Sequence, residues 1–312
     1  MRLIFCGTPQ FAVPTLEALI ASEFEVRLVL TNPDEPRGRG YELKASPVKE
    51  FALNAGLRVF QPARLKDSSV QAKISAVQPD AIVVVAYGHI IPSWMIELPR
   101  HGCVNLHASL LPRYRGAAPV PWAVIRGERI TGVTTMQIDA GLDTGGILLQ
   151  RETEIRDEDT TETLLERLSK MGAGLMVETL HKLDRDEIHP LPQDERLASY
   201  APMLKKEDGR IDWSLRAEEI GRRVRGLRPW PVAYTAFRGR MLRLWAARPA
   251  DQQAGPFLEP GALTIDQGKL ITCCGSGTRL ELIELQLEGR RRISARDFLN
   301  GVSLMPDDRL GN

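Results

Sequence analysis

The sequence predicts an α/β fold: a Rossmann-like, mostly parallel sheet with helices on both faces, followed by a smaller C-terminal domain built as an OB-like β-barrel. Three observations predict it. Short β-branched apolar runs alternate with helical patterns through the first half, which is the signature of strands joined by crossover helices. A proline-rich polar stretch then breaks that alternation. After it, five short strand-like runs follow one another with turn residues between them, the pattern of a small barrel.

Taken in order, 3–6 is a strand, and Pro9 in the turn after it opens a helix over 11–21, proline being suited to a first helical turn that lacks an N–H partner. Strands over 26–30 and 81–86 flank a helix at 70–77. Further strands fall at 103–107, 133–138 and 147–155, the last two joined by the glycine-rich run from Asp139 to Gly146. A continuous apolar stripe makes 161–183 one long amphipathic helix. His189-Pro190-Leu191-Pro192-Gln193-Asp194 has the composition of a linker, dividing the chain into a first domain over 1–188, a linker over 189–207 and a second domain over 208–312. In the second domain a helix at 214–226 precedes strands at 232–237, 241–246, 261–265, 270–273 and 280–285.

With 312 residues, 43% hydrophobic and 26% charged, the chain has the make-up of an ordinary water-soluble protein with a large core. No apolar run approaches the roughly 18 residues a membrane helix needs, and Met1-Arg2-Leu3-Ile4 runs directly into a strand, so a cytoplasmic protein with no membrane partner is expected. Cys6, Cys103, Cys273 and Cys274 lack the paired spacing of a zinc site; free structural thiols and no metal are expected.

The formal charge is only +1, yet it is unevenly spread. Residues 205–312 carry 19 Lys or Arg against 14 Asp or Glu, a net +5, leaving −4 for 1–204. Between 205 and 248 the ratio is 12 basic to 5 acidic, which suits either a polyanion-binding face or a solvated arginine-rich one. The turn Gly7-Thr8-Pro9-Gln10 lacks the second and third glycines of a dinucleotide fingerprint, and neither a Walker loop nor a G-x-S-x-G elbow occurs.

The chemistry-bearing residues are elsewhere. Asn105 and His107 alternate along one strand, so they project from the same face at its carboxyl end, where open α/β sheets place ligands. Asp143, in the glycine-rich loop 36 residues on, is in a position to reach His107 and set its tautomer or charge. No Ser or Cys accompanies the base, so direct transfer of a group between two bound substrates fits better than a covalent enzyme intermediate. Asn105 and protonated His107 suit donation to a tetrahedral oxyanion, worth about 3–4 kcal/mol for one good donor, and Asp143 suits removal of a proton from the attacking group. The competing reading is a hydrogen-bonded core pair and a turn aspartate.

Asn105-Leu106-His107-Ala108-Ser109-Leu110-Leu111-Pro112, continued by Arg113-Tyr114-Arg115-Gly116-Ala117-Ala118-Pro119 and by 139–145, resembles the 10-formyltetrahydrofolate-dependent formyltransferases. The resemblance runs from Phe5-Cys6-Gly7-Thr8-Pro9 through Val84-Val85-Ala86-Tyr87-Gly88 to Lys206-Glu207-Asp208-Gly209-Arg210-Ile211-Asp212-Trp213 and Pro229-Trp230-Pro231. It implies that Asn105, His107 and Asp143 are the catalytic residues. It implies a folate site at Ser109, Leu110, Leu111 and Pro112, with Tyr87, Gly88, Asp139 and Gly141 near the pterin. The co-substrate is then 10-formyltetrahydrofolate and the acceptor methionyl initiator tRNA, met by a basic loop with Arg37, Arg39 and Lys44 and by a barrel with Lys205, Lys206, Arg210, Arg238, Arg240 and Arg243. A monomer is expected. Relatives that formylate a sugar nucleotide or a ribonucleotide, or that hydrolyse the donor, share the central motif, and a catalytically dead tRNA-binding module is the alternative from outside enzymes.

Overall fold

The structure, a computed structural model, describes residues 1–37, 42–251 and 258–311. The chain forms two compact units, one made of 1–119, 130–154 and 165–201, the other of 120–129, 155–164 and 202–311.

In the first unit, β1 (Arg2–Gly7), β2 (Glu25–Leu30), the short hairpin β3 (Glu35–Arg37) and β4 (Glu42–Lys44), β5 (Val59–Phe60), β6 (Ala81–Val85), β7 (Cys103–His107), β8 (Ile130–Gln137) and β9 (Ile147–Glu154) follow in chain order. Apart from the hairpin they form one seven-stranded sheet ordered β5-β2-β1-β6-β7-β8-β9. Pairing is parallel from β5 to β7 and antiparallel for β7 with β8 and β8 with β9, so the sheet is mostly parallel. Every residue of β6 is buried, as a central strand covered on both faces requires, whereas edge strand β9 turns polar toward its end. Strand order reverses at β1, with β2 on one side and β6 on the other. Such a switch point opens a crevice at the carboxyl ends of the strands.

One core cluster joins Ile4 and Cys6 of β1, Leu28 and Leu30 of β2, Ile82 and Val84 of β6 to Val70 and Ile74 of the helix Ser68–Ser75. Burying each of those aliphatic side chains is worth about 1.5–3 kcal/mol.

The second unit is built on an antiparallel sheet. Its strands are β10 (Ala233–Phe237), β11 (Arg240–Ala250), β12 (Leu263–Asp266), β13 (Lys269–Cys273), β14 (Arg279–Leu287) and β15 (Ile293–Ser294), ordered β10-β11-β14-β13-β12 with β15 on β14. Two tight hairpins organise it. Arg238-Gly239 between β10 and β11 and Gln267-Gly268 between β12 and β13 have positive φ at both residues, the twist that matches paired strands and favours glycine at the second place. The helix Ala217–Gly226 buries Ile220 and Val224, with Glu218 and Glu219 in its first turn and Arg223 and Arg225 in its last, each sign placed to complement the helix dipole.

Segments 120–129 and 155–164 join the second unit although the sequence places them inside the first domain. Long-range bonds hold them there: Thr161 Oγ1 donates to Gly226 O (2.7 Å), Arg225 Nη1 to Asp159 O (2.6 Å) and Trp122 Nε1 to Pro202 O (2.8 Å). Residues 190–201, linker-like in composition, are bonded into the first unit through bridges of Ile147 with Leu191 and Arg115 with Tyr200.

Candidate active site

β7 carries both Asn105 and His107. Its neighbours set their register: Val84 of β6 lies opposite Asn105, and Met136 and Thr134 of β8 lie opposite Asn105 and His107. His107 is 7% exposed, and its Nε2 bonds Tyr114 O at 2.9 Å. A carbonyl oxygen only accepts, so Nε2 carries the proton and Nδ1 is the ring atom left for other work. That Nδ1 faces Asp143 Oδ2 at 3.7 Å. Asn105 is half-buried, and its amide has no hydrogen-bond partner among the described residues.

Asp143 sits in the loop between β8 and β9 at φ 53°, left-handed backbone that a non-glycine residue adopts only under constraint. Its Oδ2 accepts from Gly116 N at 2.8 Å. Gly116 is at φ 112°, and a Cβ there would stand 2.8 Å from Ala201 O. Glycine is therefore required where the backbone meets the carboxylate. Gly116→Ala is expected to cost about 1–3 kcal/mol in a denaturant melt and to slow turnover, because both the strained φ and the clash act on the Asp143 contact.

The turn after β7 is held by Thr134. Its hydroxyl donates to Ser109 O (2.7 Å) and accepts from Leu111 N (3.1 Å) and Gln150 Nε2 (2.9 Å), while Gln150 Nε2 also reaches Leu111 O (2.8 Å). Ser109 Oγ donates to Arg113 O at 2.6 Å, and the Leu111-Pro112 peptide is cis. Leu110 is half-buried beside them. Tyr87, two residues past β6, is 2% exposed; burial pushes its phenol well above the usual range, and its hydroxyl has no hydrogen-bond partner among the described residues. Gly88 follows at φ 85° and is exposed. Asp139 closes its own loop by accepting from Gly141 N (3.0 Å) and Thr144 Oγ1 (2.7 Å). A cleft of about 450 Å³ borders this loop, lined by Asp139, Thr144, Gly145 and Gln193 among others, but not by Asn105, His107 or Asp143. Hydrogen bonds to Tyr114 O and from Gly116 N accompany the approach of His107 to Asp143, and Asn105 shares the strand of His107.

The cysteines offer no rival nucleophile. All four are free and buried, and burial pushes the Cys103 and Cys274 thiols up to about 12. Among the described residues no group of His, Cys, Asp and Glu side chains is arranged to hold a metal.

The basic residues fall into distinct states. Arg39 lies outside the described residues; the Arg37 backbone and Lys44, which is exposed, belong to the β3–β4 hairpin. Lys205 and Lys206 are exposed and make no ion pair among the described residues. Arg240 Nη2 donates to Glu288 O, and Arg238 is engaged by Asp308 through two bonds, Nε to Oδ1 at 2.8 Å and Nη2 to Oδ2 at 2.6 Å. The Arg238 guanidinium holds the Asp308 carboxyl below the usual carboxylate range. The stability from this pair is thus present above the ordinary carboxylate pKa, about 3.9, and lost as pH falls through the lower folded value.

The family described as "Formyl transferase" matches residues 1–180, and "Formyl transferase, C-terminal domain" matches 203–303. A methionyl-tRNA formyltransferase of Acidobacterium capsulatum is 53% identical over 312 residues, covering 100% of both chains. The chain belongs to the methionyl-tRNA formyltransferase family. Its fold is shared with a solved methionyl-tRNA formyltransferase from Clostridium thermocellum (TM-score 0.57, 18% identity, 91% of this chain and 99% of that one). It is shared too with WlaRD, a sugar 3N-formyl transferase (TM-score 0.68, 17% identity, 93% and 99%). Asn105, His107 and Asp143 all lie within the formyltransferase match at 1–180.

Sequence reasoning missed Arg115, Gln193 and Glu195, which surround the Asp143 loop. Arg115 stands in the motif run Arg113-Tyr114-Arg115-Gly116, but nothing local says that an arginine there is fully buried.

Proposed function

We propose that this formyltransferase moves the formyl group of 10-formyltetrahydrofolate to the free α-amino group of methionyl initiator tRNA. The observation that carries the reading is the 53% identity to a methionyl-tRNA formyltransferase over the whole of both chains. The residues present fit a formyl donor in one concrete respect: a half-buried amide with no partner among the described residues, Asn105, stands on the same strand as His107 and offers an N–H to a carbonyl oxygen.

Attack by the neutral amine forms the new N–C bond and puts negative charge on the formyl oxygen; the bond from carbon to folate N10 then breaks, and the proton lost by the amine ends on N10. Asn105 donates to the developing oxyanion. His107, whose Nε2–H is committed to Tyr114 O, contributes through Nδ1, and a donor there requires the doubly protonated ring. Asp143, facing that nitrogen, accepts the amine proton directly or through water. Ser109, Leu110, Leu111 and Pro112, with Tyr87, Gly88, Asp139 and Gly141, form the folate side of the site in this reading.

The remaining assignments complete the proposal. Residues 1–188 supply the chemistry, and 208–312, an OB-like barrel, supply tRNA binding through Arg238 and Arg240, joined by Lys205 and Lys206 of the linker and aided by Arg37, Arg39 and Lys44. The enzyme works as a cytoplasmic monomer. No described helix is long and apolar enough to cross a membrane.

Formyl transfer is tested with labelled donor and three acceptors: charged initiator tRNA, elongator methionyl-tRNA and a sugar-nucleotide amine. Label on the initiator tRNA alone is expected; label confined to the small amine overturns the acceptor. Each phosphate contact adds to the salt dependence of tRNA affinity. Removing Lys205 and Lys206 together is therefore expected to lower the slope of log affinity against log salt by about 2. An unchanged slope removes both from the tRNA footprint.

A further inference from the structure

Gln193 lies in the stretch whose composition is that of a linker, yet its carboxamide makes four hydrogen bonds. Nε2 donates to the carbonyl oxygens of Asp143 (2.8 Å) and Gly145 (2.7 Å), and Oε1 accepts from Arg115 Nε (3.1 Å) and Nη2 (2.9 Å). Its neighbours dictate the orientation of the amide, because a guanidinium only donates and a carbonyl oxygen only accepts.

The anchor behind it is unusual. The Arg115 side chain is 0% exposed, and two further bonds fork onto Glu195, Nη1 to Oε2 at 2.9 Å and Nη2 to Oε1 at 2.8 Å. A guanidinium buried without acceptors is strongly destabilising, so Arg115 ties residues 193–195 to the chain after β7. Main-chain bonds fasten both ends of the strap: Ile147 and Leu191 exchange N–H···O bonds of 2.8 Å, and Arg115 N donates to Ser199 O while Ala201 N donates to Arg115 O, each at 2.8 Å.

Asp143 needs a holder. Its positive φ is a conformation that a free loop would leave, and Gly145, two residues on, is packed so closely on the Gln137 carbonyl that a side chain there has no room. We propose that Gln193 is a positioning residue of the formyl transfer: gripping the Asp143 and Gly145 carbonyls from the buried Arg115–Glu195 anchor, it fixes the direction in which the Asp143 carboxylate faces His107. This rests on the reading of Asp143 as proton acceptor. The stretch 190–201 is then part of the site and not a spacer.

Two substitutions separate positioning from simple support. Gln193→Ala removes the whole contact. Gln193→Glu keeps an acceptor for Arg115 but, as a carboxylate, has no N–H for the two carbonyls. In the full-length enzyme both are expected to lower kcat by about 10- to 100-fold, with KM for donor and tRNA within about threefold of wild type, the cost of a misaimed group. Because its carboxylate faces the two carbonyl oxygens, Gln193→Glu is expected to melt lower than wild type, and kcat is read below its melting temperature, on folded protein. Added to Asp143→Asn under single-turnover conditions, Gln193→Ala should cost nothing further, because its effect acts through the carboxylate already removed.

Wild-type kcat in Gln193→Glu, or a Gln193→Ala loss that multiplies in full on the Asp143→Asn background, overturns the positioning role while leaving Asp143 catalytic. Wild-type turnover in Asp143→Asn itself removes Asp143 from the chemistry, and the role of Gln193 with it.

Discussion

Asp143→Asn is expected to lower kcat for formyl transfer by about 100- to 10,000-fold while the protein melts close to wild type. The amide is nearly isosteric with the carboxylate, and its oxygen still accepts from Gly116 N, the bond that ties residue 143 to the chain after β7. What disappears is a group able to take a proton 3.7 Å from His107 Nδ1. The amine of an aminoacyl ester must shed a proton as it attacks, and an amide cannot take it. Single-turnover formylation with saturating donor reads the chemical step directly, and turnover within about threefold of wild type would sink the assignment.

Asn105→Ala is expected to lower kcat by about 100-fold or more, the usual consequence of deleting one preorganised oxyanion donor. The amide is the available one: His107 has already given its Nε2–H to Tyr114 O, whereas Asn105 has no partner among the described residues. Stability should change little, because a half-buried amide with no bond among the described residues leaves none of them orphaned when it is removed. The KM for the donor should move far less than kcat, since the charge that the amide stabilises appears only in the transition state. Equal losses in donor binding and in kcat/KM, with kcat intact, would instead make Asn105 a binding residue.

Both predictions concern residues that local sequence pattern brings into view. Asn105 and His107 stand two apart in an apolar run, and the alternation of strand side chains places them on one face without reference to the rest of the chain. Asp143 is legible in the sequence only as within reach; its approach to His107 depends on Gly116 and on a loop conformation that no spacing rule supplies. Arg238 is legible as a basic residue of the second domain, but its carboxylate partner Asp308, which engages its Nε and Nη2, is 70 residues away.

The sequence by itself determined the short-range features: most strands of both units, the long helix over 161–184, and the placing of two polar side chains at the end of β7. Those follow from periodicity and backbone sterics, which act within a few residues. Tertiary structure alone decided that β8 runs antiparallel to β7, that 120–129 and 155–164 pack with the C-terminal residues, and that Arg115 meets Gln193 78 residues later to hold the Asp143 loop. Each of these is a contact between surfaces that exist only once the elements have closed on one another. Its free energy depends on burial and on satisfying distant polar groups, and neither is a property of any local stretch of sequence.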